Sequence, residues 1–424
     1  MDADTIYALS SGAPPAAIAV VRVSGRHALA AAAALAGPLP PPRSAAVRTL
    51  RGSDGAPLDR ALVLVFPGPN SATGEDLVEL HLHGGRAVVA AVSAALADQP
   101  GLRQAEPGEF TRRALTNGRI DLHQAEGLAD LLEAETEDQR RAALAASDGM
   151  LGETLAGWLR SLSGAAAMIE ATIDYDEEAD IAHDRVDAWR PVVAAVRDEM
   201  VALLAQPSVE RLRDGLLVVL AGPPNAGKSS LFNALLGRDA AIVTPIAGTT
   251  RDVIEAHVVR SGIPYRLCDT AGLAEYTDDV VEQIGIDRAR ALSAQADVIL
   301  WLGERATAPV GAVHVTAKAD LAHEPGGDIS VSTKSAGSID RLWELLASHA
   351  REQLTLRSDV ALRETQRDAL RGVTDSLSNS LCEIEPLMSA EELRVARRLL
   401  GGLVGQDATE AMLDALFGRF CLGK

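Results

Sequence analysis

Apolar residues follow three rhythms along this chain, and the rhythm changes where proline does. Through about residue 117, short apolar runs (AAIAVVRVSG, ALVLVFPG, DLVELHLHGG) alternate with Pro/Gly turns such as GPLPPPR. That pattern predicts mixed α and β structure. From about 118 to 207, apolar residues recur at intervals of three and four in a background of Ala, Leu, Glu and Arg, the period of amphipathic helices. From about 211 to 346, LLVVLAG, PYRLCDTAG and ADVILWLG each predict a buried strand, with helical stretches between them, a βα pattern. From about 350 the helical rhythm returns. Eleven of the 20 prolines lie in the first 107 residues; none lies between Gly108 and Arg190, and none follows Pro386. The expected organisation is an N-terminal α+β domain (1–117), a discontinuous all-helical domain (118–210 and 350–424), and a βα nucleotide-binding domain (211–349) inserted into it.

Composition narrows the class. At 424 residues, 47% hydrophobic and 23% charged, the chain has the make-up of an ordinary globular protein of about three domains. Only 3% of residues are aromatic, which favours cores of Ala and Leu. The three cysteines, Cys268, Cys382 and Cys421, form no Cys-x-x-Cys pair, so a disulfide framework or structural zinc is not expected and a reducing compartment is. Cys268 and Cys382 read as packing residues. The N-terminus lacks a basic-then-apolar leader, and no apolar stretch is long enough to span a membrane, so a cytoplasmic protein without membrane contact is expected. The net charge of −19 repels phosphate backbones on average. A nucleic-acid partner must therefore meet a local basic patch or be gripped mainly by another subunit. Arg112, Arg113, Arg394, Arg397 and Arg398 are the basic candidates, against the plainer reading of solvated helix faces.

The chemistry concentrates in the βα segment. Gly222-Pro223-Pro224-Asn225-Ala226-Gly227-Lys228-Ser229 fits G-x-x-x-x-G-K-[ST], follows the strand LLVVLA and precedes the helical SLFNALLG. In that context backbone N–H groups of Asn225 to Ser230 wrap phosphates at a helix N-terminus. Lys228 neutralises β/γ oxygens, and Ser229 holds Mg²⁺. Asp269-Thr270-Ala271-Gly272 ends a second strand, placing an Asp near Mg²⁺ and a Gly N–H near the γ-phosphate. Between them, Gly248-Thr249-Thr250-Arg251-Asp252 offers a Thr for the Mg²⁺ shell, a loop that orders when nucleotide binds. Ala317-Lys318-Ala319-Asp320 stands where guanine-reading N-K-x-D is expected, and Ser332-Thr333-Lys334 follows as the last base-contacting loop. The Asn is missing, and none lies between Asn233 and Asn379. Guanine selectivity is expected to survive through Asp320, with weaker base affinity.

These motifs, with VVRVSG, TGEDLVELHLHGG, PGEFTRRALTNGRIDLHQAEGLADLL, Val281-Glu282-Gln283-Ile284-Gly285 and the ending Phe420-Cys421-Leu422-Gly423-Lys424, closely resemble the MnmE (TrmE) family of tRNA-modifying GTPases. The resemblance runs over essentially the whole chain. It implies an inserted Ras-like P-loop G domain whose copies dimerise across GTP and are activated by K⁺. Asn225 matches the potassium ligand, with Thr244, Ile246 and Thr249 completing the ion's shell; Ser229 and Thr250 hold Mg²⁺. Glu282 matches the water-orienting Glu, against the bland reading of a solvated helix residue. The N-terminal domain is implied to form a homodimer and to bind 5-formyl- or 5,10-methylene-tetrahydrofolate, with Arg22, Glu79, Arg119 and Lys424 on the folate-contacting positions. A carboxylate such as Glu79 can read the amide-like edge of a pterin, and Arg and Lys suit the glutamyl tail. Taken singly, each of these is an ordinary surface ion-pair residue. Cys421 matches the functional cysteine, as thiolate nucleophile or proton donor.

The family works with the flavoprotein MnmG in a heterotetramer. Together they add an aminomethyl or carboxymethylaminomethyl group to carbon 5 of the wobble uridine of tRNA. This chain carries no G-x-G-x-x-G after a strand, so FAD belongs to the partner. Two departures stand out: SSGAPPAA replaces the family's Pro-Pro-Gly-Arg-Gly-Gly run, and Ala317 replaces the guanine-motif Asn. The acidic cluster Asp174, Asp176, Glu177, Glu178 and Asp180 reads as a solvated turn. Two competing readings are a regulatory ribosome-assembly GTPase and a helical scaffold with a degenerate G domain. The first leaves the Cys421–Lys424 ending and the Arg22/Glu79 segments unexplained. Intact Lys228, Ser229, Thr250 and Asp269 speak against the second.

Overall fold

The computed structural model describes residues 4–174, 187–223, 225–237, 254–269, 295–320, 327–404 and 410–424. The chain divides into two compact units, one of Met1–Leu132, Ala146–Gly149 and Gly405–Lys424, the other of Glu133–Ala145 and Met150–Val404.

In the first unit β1 (Thr5–Leu9), β2 (Ile18–Ser24), α1 (Ala28–Ala36), β3 (Ala46–Arg51), β4 (Pro57–Phe66), β5 (Leu77–His83), α2 (Arg86–Ala97) and β6 (Leu102–Gln104) follow one another. The strands form one sheet in the order β3-β4-β5-β2-β1-β6. It is antiparallel except where β6 joins β1. Strand alternation gives the sheet two unlike faces. Val21, Val23, Val63, Leu80 and Leu82 are buried with Ala28, Ala31, Ala32 and Leu35 of α1 and with Val92 and Leu96 of α2. The small alanines let α1 lie close to the sheet. The opposite face carries Ile18, Val20, Arg22, Leu62, Glu79 and His81, with Val47 paired to Leu62. Ile18 and Val47 there are 59% and 55% exposed, so this is a partly apolar face open to solvent.

Then come α3 (Glu109–Thr116) and α4 (Leu122–Glu133). The chain's last helix, Glu410–Phe417, delivers Phe417 and Phe420 onto Leu122, Ala125 and Ala129. The tail beyond it is stitched to the sheet domain: Leu422 bridges Pro107, and the Phe110 N–H donates to the Lys424 carbonyl at 3.2 Å. Gly423 sits at φ 91°, where a Cβ would fall 2.1 Å from the Leu9 carbonyl oxygen. Only glycine fits that close approach.

In the second unit α5 (Glu137–Ser147), α6 (Met150–Asp174), α7 (Trp189–Leu204) and α8 (Val209–Asp214) precede β7 (Leu216–Ala221), α9 (Lys228–Leu236), β8 (Ile254–Arg260), β9 (Ile263–Asp269), β10 (Val298–Trp301), β11 (Val313–Ala317) and β12 (Ile329–Val331). Helices α10 (Ala336–Leu354), α11 (Glu364–Cys382) and α12 (Pro386–Val404) close the unit. The sheet order is β12-β11-β10-β7-β9-β8, parallel except for the β8–β9 hairpin. Every residue of central β7 is buried, as a strand covered on both faces requires. Around it, Tyr265 meets Trp343 of α10 edge-on at 4.9 Å. Helices from before and after the sheet share a second core: Leu155, Leu162 and Ile169 of α6 and Val193 and Met200 of α7 pack with Leu370, Leu377, Leu393 and Leu400.

The expected class, α+β at the N-terminus with a helical domain split by a βα module, is the one observed. Strand β8 was not expected. Its signals were the alternation Ile254, Ala256, Val258 and the two-residue turn Ser261-Gly262, both at positive φ, the geometry that closes a tight hairpin. Cys382 also departs from expectation: it ends α11 exposed rather than packed. Cys268 is buried on β9, and burial pushes its thiol up to about 12.

Candidate functional site

The phosphate loop leaves the C-terminal end of β7 and enters α9. Asn225 adopts φ 60° and Gly227 φ 102°, which turns successive backbone N–H groups toward one concavity, an anion nest at a helix N-terminus. The Lys228 side chain folds back over the loop and donates to the carbonyls of Gly222 at 2.9 Å and Pro223 at 3.0 Å. Only 6% of Lys228 is exposed. Burial lowers its pKa, and the nearby Asp269 carboxylate pulls it partly back up. A buried ammonium resting on weak carbonyl acceptors gains most when anionic oxygens enter the nest, so these residues fit a nucleotide's phosphates. Ser229 follows Lys228 in the first turn of α9, and Asp269, fully buried, ends β9. Ala226 and Gly227 lie in the loop, and Ser229 and Ser230 in the first turn of α9.

The residues expected to read the base sit at the ends of β11 and β12. Lys318 takes φ 57°, and the Ala319 N–H is tied to the Val331 carbonyl. Asp320 accepts from Ser332 Oγ at 2.9 Å and from Lys334 Nζ at 3.0 Å, contacts that hold its carboxyl below the usual carboxylate range. Thr333 lies in the turn between those two partners. The result is an oriented acceptor pair, the complement of guanine's N1–H and amino group. Thr244, Ile246, Thr249, Thr250, Thr270, Ala271, Gly272 and Glu282 lie outside the described residues, as does most of the acidic cluster at 174–180.

A second site lies in the other unit. Arg22, Arg119 and Lys424 come from β2, the loop before α4 and the C-terminus, yet all three line one cavity of about 360 Å³. Its walls are completed by Leu77, Phe110 and Leu128, with Thr73 as a polar inset. Volume and lining suit a small organic ligand with an apolar ring and an anionic tail. Glu79 is joined to this site through Arg22, whose Nε donates to Glu79 Oε1 at 2.9 Å. Burial pushes the Glu79 carboxyl up, but hydrogen bonds from His81 (3.1 Å) and Arg22 outweigh it and hold the pKa below the ordinary value. Cys421 is exposed on the tail that carries Lys424.

Sequence reasoning missed two supports of this site. His81 follows Glu79 by two, so the strand period already put both on one face. Ser24 and Thr73, both buried, exchange a 2.7 Å hydrogen bond, and Ser24 also donates to Glu75 at 2.9 Å. Arg113 in turn pairs with Glu75 (3.1 Å), Glu109 (3.0 Å) and Asp4 (3.0 Å). No single-sequence signal marks that network. It removes Arg113 from the basic candidates, because its guanidinium is inside the fold and saturated with carboxylates. Arg112 and Arg394 are also paired, with Asp414 and Glu391.

A strand–loop–helix phosphate nest on a parallel sheet, with an oriented carboxylate two strands away, defines a P-loop nucleotide-binding protein of the G-domain class. The chain belongs to the MnmE family of tRNA modification GTPases. The profile described as GTP-binding protein TrmE N-terminus matches residues 5–119, and that described as MnmE helical domain matches residues 122–421. The tRNA modification GTPase MnmE of Erythrobacter litoralis is 51% identical, covering 99% of this chain and 100% of the relative. That of Rhizorhabdus wittichii is 53% identical, covering 99% and 97%. Among solved structures, the G domain of the T. maritima FeoB iron transporter aligns over 32% of this chain and 98% of its own, at 23% identity and a TM-score of 0.25.

Proposed function

We propose that this chain hydrolyses GTP to GDP and phosphate and, with the flavoprotein MnmG, adds an aminomethyl or carboxymethylaminomethyl group to carbon 5 of the wobble uridine of certain tRNAs, using a tetrahydrofolate one-carbon unit. The observation that carries the folate part is the convergence of Arg22, Arg119 and Lys424 on one cavity. They are scattered from near the start of the chain to its last residue. A tail fixed at Phe110 and Leu9 is what brings the last of them there. Arg119 and Lys424 suit the glutamyl carboxylates, and Glu79, held ionised, suits the donor edge of a pterin. Cys421, on the same tail, is assigned to the modification chemistry.

In the nucleotide site, Lys228 and the loop N–H groups stabilise charge on the phosphates, while Ser229 and Thr250 hold Mg²⁺. Asn225, with Thr244, Ile246 and Thr249, would hold a K⁺ ion, a fixed cation that would supply electrostatic stabilisation to phosphate-bond cleavage. Glu282 orients the attacking water. Asp320, Lys318 and the Ser332–Lys334 turn hold the base.

The open face of the N-terminal sheet supports a homodimer. The acidic net charge supports leaving much of the tRNA grip to MnmG, and the missing G-x-G-x-x-G after a strand supports placing the FAD there. Among the described residues no helix is long and apolar enough to cross a membrane, and the cytoplasm is the proposed location. Calorimetry with 5-formyl-tetrahydrofolate tests the cavity. Wild-type protein is expected to bind, and a chain lacking the last four residues is expected to bind at least tenfold more weakly. Equal affinity would remove the folate assignment.

A further inference from the structure

Guanine presents two different edges: N1–H and the amino group are donors, whereas N7 and O6 are acceptors. Asp320, an acceptor held by Ser332 and Lys334, serves the first edge. The side chain at 317 closes β11 on the side of the phosphate loop: the Ala317 methyl lies 3.7 Å from the point where a Cβ would stand on Gly227, and Lys318 Cε lies 4.0 Å from that point. Position 317 is therefore wedged between base loop and phosphate loop, and on the guanine-site reading a longer polar side chain here would face the purine's five-membered ring. Alanine brings no donor there. No asparagine occurs between Asn233 and Asn379 to take its place.

We propose that Ala317 makes this site blind to N7, so that guanine is selected without an N7 contact, with its N1–H and amino edge read by Asp320. The proposal rests on the reading of this module as a guanine-nucleotide site. It has a consequence unusual for a site that recognises guanine: a nucleotide with carbon in place of N7 is accepted as well as the natural one. It also makes 317 the position at which affinity and N7 selectivity are set together.

The test is competition binding on the full chain with GDP, 7-deaza-GDP, IDP and ADP, for the wild type and for Ala317→Asn. Wild type is expected to bind 7-deaza-GDP within about twofold of GDP, because no hydrogen bond is lost. IDP, which lacks the amino group that Asp320 accepts from, is expected to bind about tenfold or more weakly, the scale of a hydrogen bond to a charged group. Ala317→Asn is expected to tighten GDP by about two- to tenfold and leave 7-deaza-GDP unchanged, the scale of one neutral hydrogen bond. A wild type that rejects 7-deaza-GDP by tenfold while keeping its preference for GDP over ADP would overturn the proposal, since another donor would then read N7. A wild type that binds ADP as well as GDP would sink the guanine-site reading beneath it. The wild-type comparison alone decides both, so the outcome does not depend on the variant folding.

Discussion

Glu109 shows how a single carboxylate ties local charge to stability. It receives hydrogen bonds from Arg103, the Glu106 N–H and Arg113. Burial pushes its pKa up, but those contacts outweigh burial and hold it below the ordinary glutamate value. A depressed folded pKa means stability that is fully present above the unfolded value of about 4.3 and is lost as pH falls through the folded one. Glu109→Gln is expected to cost roughly 1–3 kcal/mol at pH 7. In thermal melts the gap to wild type should narrow as pH falls below the unfolded value and close once it passes the depressed folded pKa. A gap constant from pH 7 to pH 3 would show that the charge is irrelevant. This network was invisible in the sequence because its members come from distant segments and no spacing rule links Asp4 or Glu75 to Arg113. The opposite holds for Lys228, Ser229 and Asp320: each sits in a short motif whose flanking strand and helix were legible as apolar runs.

At the scale of elements, the C-terminal tail is the feature that sequence alone could least locate. Its residues were legible as a rare ending, but their docking beside β1 and α3 depends on long-range contacts that no local pattern encodes. Gly423→Ala would drive a Cβ into the Leu9 carbonyl at a positive φ, and so is expected to free the tail. Titration should show folate affinity falling at least tenfold while GTP turnover stays within twofold. Unchanged folate binding would mean that Lys424 does not need its place in the cavity. The helical elements were easier to read, because α6, α7, α11 and α12 each keep a 3.6-residue stripe. Leu377, fully buried where α11 meets its neighbours, is expected to cost about 2–5 kcal/mol on change to Ala, as cavity creation does. Denaturant unfolding measures that loss. Strand β8 went unread although Ala256 and Val258 are buried at alternate positions, because its turn is Ser-Gly rather than the stronger Asn-Gly or Asp-Gly signal.

For the whole molecule, two associations follow from the proposed function. The first is between sheet domains. Ile18→Glu and Val47→Glu together place charge on the open face at positions that are already more than half exposed, so the fold should survive. Light scattering is expected to show a dimer for wild type and a monomer for the double variant; an unchanged mass would exclude that face. The second is between nucleotide modules closing around an alkali ion beside Asn225. GTP turnover in KCl is expected to exceed that in NaCl by at least tenfold, and equal rates would remove the ion.

The most direct test joins the two sites in one readout. Nucleosides from total tRNA of a strain carrying only a Lys228→Ala copy are compared by mass spectrometry with those of the parent strain. The account predicts loss of the carbon-5 wobble-uridine modification with the other modified nucleosides intact. A normal wobble-uridine profile in that strain, with the variant protein present at parental levels, would contradict it.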